Sequence, residues 1–516
     1  MKKSKRMAYN MIAQVVSFAL NLGINFFLTP YVVTHVSKEI YGFVNLAYSF
    51  TNYANILVVS INGLLARYIT INLRQEKYKS ANEYFSSVTI INIILSLALV
   101  VPSAFLIIFL DSIINVPVGF VGDIKILWTF IFVSTLLSIA TTTFHVSTFA
   151  ANRLDLEGIR SMQSNIIRCV LLLVMFAFLA PNVWYVGFTA LICNIYLTYI
   201  TYGYLKTLTP QLKLDVKFFK WDAVKELFVN GIWNSINQLA AILLDGLDLI
   251  ICNLFIGALG MSLMSYSKTI PVQLASLIAM VANIFVPQMT TVYADGDKGK
   301  FIKETKSAVK ICSFLCSVPV IGFIVFGYSF FRLWLPSLTD AEIGTIQTLS
   351  LLTLLPSLFS IFSYPLSAVQ TITCKLRLPV IVTMAIGVIN VVLVFVLLNV
   401  TDMGVLAVKI VSSVLLMFKV LVFTPMYAAK NLDVKLTEFY PTILRGTVAN
   451  GAMIVVFAVI VQFSAMDSWL KLGLMAGLCG IVGYVMNYVI LLNKNEKTII
   501  KNKASELLKK FTPQKA

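Results

Sequence analysis

Leu243–Gly257 reads LLDGLDLIICNLFIG, a run of hydrocarbon side chains interrupted by Asp245 and Asp248. A carboxylate at the centre of a bilayer costs on the order of several kcal/mol. Either this stretch lies outside a membrane, or its acids face something other than lipid. Composition decides between the two. Hydrophobic residues make up 59% of the 516-residue chain and charged residues 12%, against about 25% charged in a soluble protein. Apolar runs of about 20 residues, the length that spans a bilayer, recur from end to end. The expected fold class is an all-α polytopic membrane protein with no sizeable soluble domain. The acids then face a polar interior.

The hydropathy pattern predicts fourteen transmembrane helices, at 9–33, 42–66, 84–110, 124–148, 158–181, 184–206, 227–254, 260–288, 307–329, 344–371, 378–399, 402–425, 440–463 and 469–492. Net charge is +17. In a membrane protein this excess reads as loops held on the cytoplasmic side, and nucleic acid is not an expected partner. With the N-terminus inside, 30 of the 40 Lys and Arg residues fall in inner segments and four, Lys38, Lys125, Arg332 and Lys471, in outer ones. That asymmetry predicts a cell-membrane protein with both termini cytoplasmic. The seven cysteines lie mostly in apolar spans without companion histidines, and read as small apolar filler; no metal or cofactor is expected.

The chain also repeats itself. GFVNLAY at Gly42 matches GMSLMSY at Gly260, and both open a helix after a short outer loop. One helix earlier, Asn10, Gln14, Ser17 and Asn25 stand opposite Asn230, Asn234, Asn237 and Asp245 at a constant offset of 220. Six spans per copy is an even number, so both copies share one orientation and their pseudo-twofold runs along the membrane normal. The expected organisation is an N-terminal six-helix bundle over 1–206, a cytoplasmic linker over 207–226 and a second six-helix bundle over 227–430. Two additional helices over 431–493 and a basic tail over 494–516, lying on the anionic inner leaflet, complete it.

At 100° per residue, Gln14, Asn21 and Asn25 share a polar stripe on the first helix, and Asn234, Asn237, Asp245 and Asp248 share one on the seventh. A polar stripe along a membrane span lines a wet cavity or a polar helix contact. Counting rise from the outer helix ends puts Asp248, Lys268 and Lys409 at about one depth. Such groups form either a static ion pair or a site for a charged substrate or coupling ion. Arg168, near mid-span, either satisfies itself on carbonyls and water or uses its fork on a phosphate. Arg67 follows the Gly63-containing part of helix 2 and either snorkels to the interface or rims the cavity mouth. Lys310, Lys419 and Arg445, near inner helix ends, read as snorkelling. His35 and His145 read as structural, and Tyr41, Tyr48 and Tyr53 as packing or interfacial residues rather than sugar-stacking platforms.

Two six-helix bundles, a polar first helix in each and a spare terminal pair resemble the MOP flippase superfamily, its polysaccharide-export branch best. The residues that carry the resemblance are LLDGLDLIICNLFIGALGMSLMSYSK, its counterpart IYGFVNLAYSF, ANRLDLEGIRSMQSNIIRCVL and SAVQTITCKLRLPV, within about residues 8–430. The resemblance implies a flippase, not an enzyme. Its substrate would be a polyprenyl-pyrophosphate-linked oligosaccharide, with membrane lipids as partners; the driving force is left open among Na⁺ or H⁺ as coupling ion, the membrane potential and the substrate gradient. Arg and Lys would neutralise the pyrophosphate while Asn, Gln and Ser meet sugar hydroxyls.

Competing expectations are a multidrug or cation antiporter of the same superfamily, a lipid II flippase, and a membrane glycan polymerase. Asp245 and Asp248 favour the antiporter, but the first helix carries no acid. The longest outer segment, about 327–344, offers only Arg332, Asp340 and Glu342, too little for a polymerase site.

Overall fold

A computed structural model describes residues 3–151, 153–463, 466–492 and 497. Side chains of residues 3–15, 17, 18, 21 and 154 lie outside that description, and so do most of the expected basic tail and the side chains of Gln14 and Asn21.

The described chain is helical, with no strand among its described residues. The first helix, α1, runs Lys3–His35. Thirteen further helices are long and apolar enough to cross a membrane: α2 Tyr41–Arg74, α3 Tyr78–Ile108, α4 Val121–Ala150, α5 Asp155–Phe178, α6 Tyr185–Leu208, α7 Trp221–Ile256, α8 Ala258–Ala294, α9 Lys298–Trp334, α10 Asp340–Ile372, α11 Arg377–Val400, α12 Val405–Asn431, α13 Tyr440–Val461 and α14 Trp469–Ile490. They follow the predicted spans one for one. The protein is an all-α, multi-pass membrane protein. Helix ends outrun the predicted spans where polar residues continue the helix beyond the apolar window, as at Trp221–Glu226 at the start of α7 and Lys298–Lys306 at the start of α9. The start of α10 carries its own signal: Thr339 and Glu342 form a reciprocal capping box, which satisfies amides that a helix start leaves open.

The chain packs as two compact units. One comprises Met1–Tyr266 with Val380–Val408, the other Ser267–Pro379 with Lys409–Ala516. The repeat and the packing therefore sort the helices differently, because α7, the first turns of α8 and most of α11 pack with the N-terminal helices.

In the first unit, α2 lies tightly along α7. Gly231 is pressed against the backbone of Ser60, and the Ser235 hydroxyl donates to the Ile56 carbonyl at 2.6 Å. At their starts α2 and α8 interlock: the Gly42 amide donates to Ser262 Oγ at 3.2 Å, and Asn45 Nδ2 donates to Ser265 Oγ at 2.5 Å. The Tyr266 hydroxyl reaches the Lys38 carbonyl. The linker is anchored rather than draped. Asn82, Ser86 and Ser87 of α3 bond the backbone of Gln211, Lys213, Asp215 and Lys220, and Glu83 pairs with Lys220 at 2.8 Å. These side chains take up amides and carbonyls that a loop without regular structure would leave unpaired.

In the second unit, α14 docks on α9 and α13. Gly483 meets Phe457 and Val318, and Asn487 Nδ2 donates to Ser317 Oγ at 2.9 Å. Cys312, Cys316 and Cys479 are buried in the same apolar cluster, as small filler should be.

Candidate functional site

The helix that carries Leu243–Gly257 is not straight. Trp221–Ala241 is α-helical, Ile242–Gly246 forms a π turn, and Asp248–Ile256 resumes as α-helix. A π turn holds one more residue than an α turn, so side chains beyond it swing by about 100°. The straight-helix stripe is thereby broken. Asn234 and Asn237 are exposed before the turn, whereas Asp248, opening the next segment, is only 2% exposed. Carbonyls that the turn releases are taken up from outside: Asn390 Nδ2 of α11 donates to Leu243 O and Leu244 O, each at 3.1 Å, and the Tyr53 hydroxyl donates to Gly246 O at 2.6 Å. Those bonds hold the irregular backbone that positions both aspartates.

Asp245 lines a pocket of about 270 Å³ between α2 and α7, with Ser49, Asn52, Tyr53 and Gln238 among its walls. Sequence reasoning missed Asn52 and Gln238. The signal was present: Asn45, Ser49 and Asn52 follow helical spacing on α2, a polar stripe outside the first helix of each repeat. Tyr53, read as packing or interfacial, also borders a neighbouring apolar pocket of about 350 Å³ shared with α3 and α4. The first unit thus sets a carboxylate, amides and a phenol beside a greasy recess, chemistry suited to a polar group with an apolar appendage.

Arg168 sits mid-way along α5 and is half-buried; its Nε is sealed from solvent without a hydrogen-bond partner. Tyr41 and Cys193 lie within electrostatic reach of it. A buried guanidinium nitrogen left without an acceptor is costly, and an anionic ligand would relieve that cost. Asn25 is half-buried on α1. Arg67 is exposed on α2, one residue before Tyr68, whose hydroxyl accepts from Asn230 Nδ2 at 3.1 Å. Asn234 stands next to Gly63.

In the second unit, Lys268 is half-buried on α8, and Lys409, on α12, is 1% exposed. A lysine so enclosed in a membrane helix is a functional candidate by default. A second π turn, Lys419–Phe423, interrupts α12; Ser363 Oγ bonds Val420 O at 2.5 Å and the Tyr440 hydroxyl bonds Leu421 O at 2.9 Å. Lys310 and Arg445, read separately as snorkelling, line one pocket. Of the two histidines, His35 stacks on Tyr31, and His145 pairs with Glu157 at 2.8 Å. Among the described residues no group of three or more His, Cys, Asp or Glu could hold a metal ion.

No family model matches the chain. A Bacillus subtilis (strain 168) protein described as an uncharacterized membrane protein, EpsK, is 26% identical over 95% of this chain and 96% of its own length. Among solved structures, the lipid II flippase MurJ in an inward closed conformation superimposes with a TM-score of 0.68 at 13% identity, covering 95% of this chain and all of MurJ. An inward-facing multidrug resistance MATE transporter of the MOP superfamily matches with a TM-score of 0.60 at 15% identity, over 83% of this chain and 98% of its own. The eukaryotic MATE transporter AtDTX14 gives 0.58 over the same share of this chain. This chain therefore has the fold that a lipid II flippase and the multidrug transporters of the MOP superfamily have in common.

Proposed function

We propose that this protein is a flippase carrying a polyprenyl-pyrophosphate-linked oligosaccharide, a cell-surface polysaccharide precursor, from the inner to the outer leaflet of the cytoplasmic membrane. The observation that carries the reading is Arg168, a mid-span guanidinium with a shielded Nε that lacks an acceptor. A pyrophosphate oxygen supplies such an acceptor, and a planar fork suits it. Lys268 and Lys409 add cationic charge, Arg67 meets the headgroup at the mouth, and Gln14, Asn21, Asn25, Asn234 and Asn237 bond sugar hydroxyls. Asp245 and Asp248 balance the lysines or take a coupling ion, Na⁺ or H⁺. The repeat halves, 1–206 and 227–430, rock about the substrate in alternating access, with both termini cytoplasmic. The fold is shared with a lipid II flippase and with MATE transporters alike; lipid II itself is within the same chemistry as the proposed substrate.

One observation favours a second reading. Asp248, 2% exposed in an apolar segment, suits a cation antiporter, and MATE transporters share the fold. Reconstituted liposomes separate the two. A flippase moves a lipid-linked oligosaccharide, and loses that activity at least tenfold in Arg168→Ala. Cation efflux abolished by Asp248→Asn, with no movement of lipid-linked glycan, rejects the flippase. In cells, deleting the gene should leave a polyprenyl-linked glycan accumulating on the cytoplasmic face, and its chemistry identifies the substrate.

A further inference from the structure

The pocket of about 270 Å³ between α2 and α7 lies wholly within the first unit, and the transport reading leaves its occupant unnamed. Ser49, Asn52 and Tyr53 line it from α2, and Gln238 and Asp245 from α7. Ser49 and Asn52 stand three apart and so share a helix face. Gln238 precedes the π turn and Asp245 lies within it, yet both reach the same space. Ala241 and Gly246, also in the lining, are too small to fill it. The irregular backbone thus leaves a recess walled by hydrogen-bonding groups from two helices.

The chemistry of those walls selects a guest. Each carboxamide offers two donors and an acceptor oxygen. Among the described residues neither the Asn52 nor the Gln238 amide has a hydrogen-bond partner; Asn52 is exposed and Gln238 half-buried. The Tyr53 hydroxyl donates to Gly246 O at 2.6 Å and the Ser49 hydroxyl to Asn45 O at 3.0 Å, so each oxygen keeps a lone pair with which to accept. Asp245 adds a carboxylate, whose two oxygens serve more than one donor. A guest matched to this lining carries closely spaced groups that each donate and accept. Sugar hydroxyls do both, and a vicinal pair spans the oxygen and nitrogen of one amide. An organic cation is held by a cage of aromatic faces, and Tyr53 is the single aromatic among the described lining residues. The volume lies just below the roughly 300 Å³ at which drug-sized sites begin, so the recess takes one sugar and not a whole glycan.

We propose that this pocket is a sugar subsite, holding one hydroxyl-rich sugar of the lipid-linked glycan, with Asn52 and Gln238 as its specificity-determining residues. The inference rests on the flippase reading and adds to it the place where one glycan is told from another. Tyr53 is a positioning residue, because its bond to Gly246 O holds the π turn, and with it Asp245, beside α2.

The test is binding to the full-length protein in detergent, read by native mass spectrometry. The probes are polyprenyl pyrophosphate, the same lipid bearing glucose or N-acetylglucosamine, and tetraphenylphosphonium. The parent should hold at least one glycosylated lipid about tenfold or more tighter than the sugar-free lipid, as hydrogen bonds from two amides supply. Asn52→Ala with Gln238→Ala should erase that preference while sugar-free binding stays within about twofold, which also shows the variant to be folded. If the double variant does not fold, Asn52→Ala alone, at an exposed position, should cut the preference by about fivefold, and Asn52→Gln should restore part of it. Equal affinity of the parent for sugar-bearing and sugar-free lipid overturns the proposal. So does a preference that survives in the folded variants, or a loss that falls equally on all three lipids. Tetraphenylphosphonium held by the parent and lost in the double variant, with no preference among lipids, assigns the pocket to a cation and overturns it too. Translocation in liposomes is scored apart. A protein that binds glycosylated lipid through Asn52 and Gln238 but does not move it keeps the subsite and loses the flippase reading. One that moves it with the preference intact in the double variant loses only the subsite.

Discussion

Replacing Gly231 by Ala tests whether the α2–α7 contact holds the irregular stretch in place. A Cβ at 231 would stand 1.9 Å from the Ser60 carbonyl oxygen and 2.8 Å from its carbon. Real Cβ atoms keep at least 3.0 Å, so the two backbones must part by about 1.1 Å or distort. The atom met is backbone, so no rotamer change relieves it. One turn on, the 2.6 Å bond from Ser235 to Ile56 O would stretch to roughly 3.7 Å if the helices part rigidly, past the useful range of about 3.2 Å. Overpacking costs about 1–3 kcal/mol and the lost hydrogen bond about 1 kcal/mol more. Gly63→Ala is the control, because its Cβ would meet only Asn234 Nδ2, at 3.3 Å, on an exposed side chain free to turn away. Thermal unfolding of the purified protein in detergent reads the difference. Gly231→Ala should melt several degrees lower and Gly63→Ala close to the parent. If the two variants melt alike, the close crossing is not what fixes α7 against α2, and the account of the π turn loses its support.

Asn390→Leu removes the donor that holds Leu243 O and Leu244 O, and should destabilise the protein by about 1–3 kcal/mol; a melting temperature equal to the parent's would mean those carbonyls find other partners. Arg168→Lys should recover only part of the transport lost in Arg168→Ala, since an ammonium keeps the charge but not the fork; full recovery in liposomes would reduce Arg168 to a point charge. Cys374, in the turn between α10 and α11, is the exposed cysteine, whereas Cys169 is half-buried and the other five are buried. A membrane-impermeant maleimide should modify it in inverted vesicles and not in intact cells, and labelling from outside would reverse the proposed orientation. At the start of α14, the hydrogen bond from Lys471 holds the Asp467 carboxyl below the usual carboxylate range. Any stability from a lowered carboxylate pKa is present above the unfolded value and fades as pH falls through the folded one. Both groups are well exposed, where water screens the pair. Asp467→Asn should therefore leave the melting temperature unchanged at neutral pH, and a clear drop would show the pair to be part of a larger network.

The sequence by itself determined what depends on local composition and on the bilayer. Helix number and order follow from apolar runs, because an unpaired backbone cannot cross hydrocarbon and each span must therefore close its own hydrogen bonds. Matched polar residues at a constant offset are a property of the sequence alone, and the aspartates marked α7 as a helix that could not face lipid all round. What only the tertiary structure decided was where those polar groups face. The π turn at Ile242–Gly246 depends on acceptance of its freed carbonyls by Asn390 and Tyr53, residues 147 and 193 positions away, and no local pattern encodes such distant partners. The turn then separates Asp248 from Asn234 and Asn237, which a straight helix would have aligned. Likewise Lys310 and Arg445, each ordinary alone, share a pocket only because α13 packs on α9. Hydrophobicity acts residue by residue and can be read along the chain. Juxtaposition is set by packing between helices far apart in sequence, where a glycine at 231 or a serine at 235 decides how closely two of them approach.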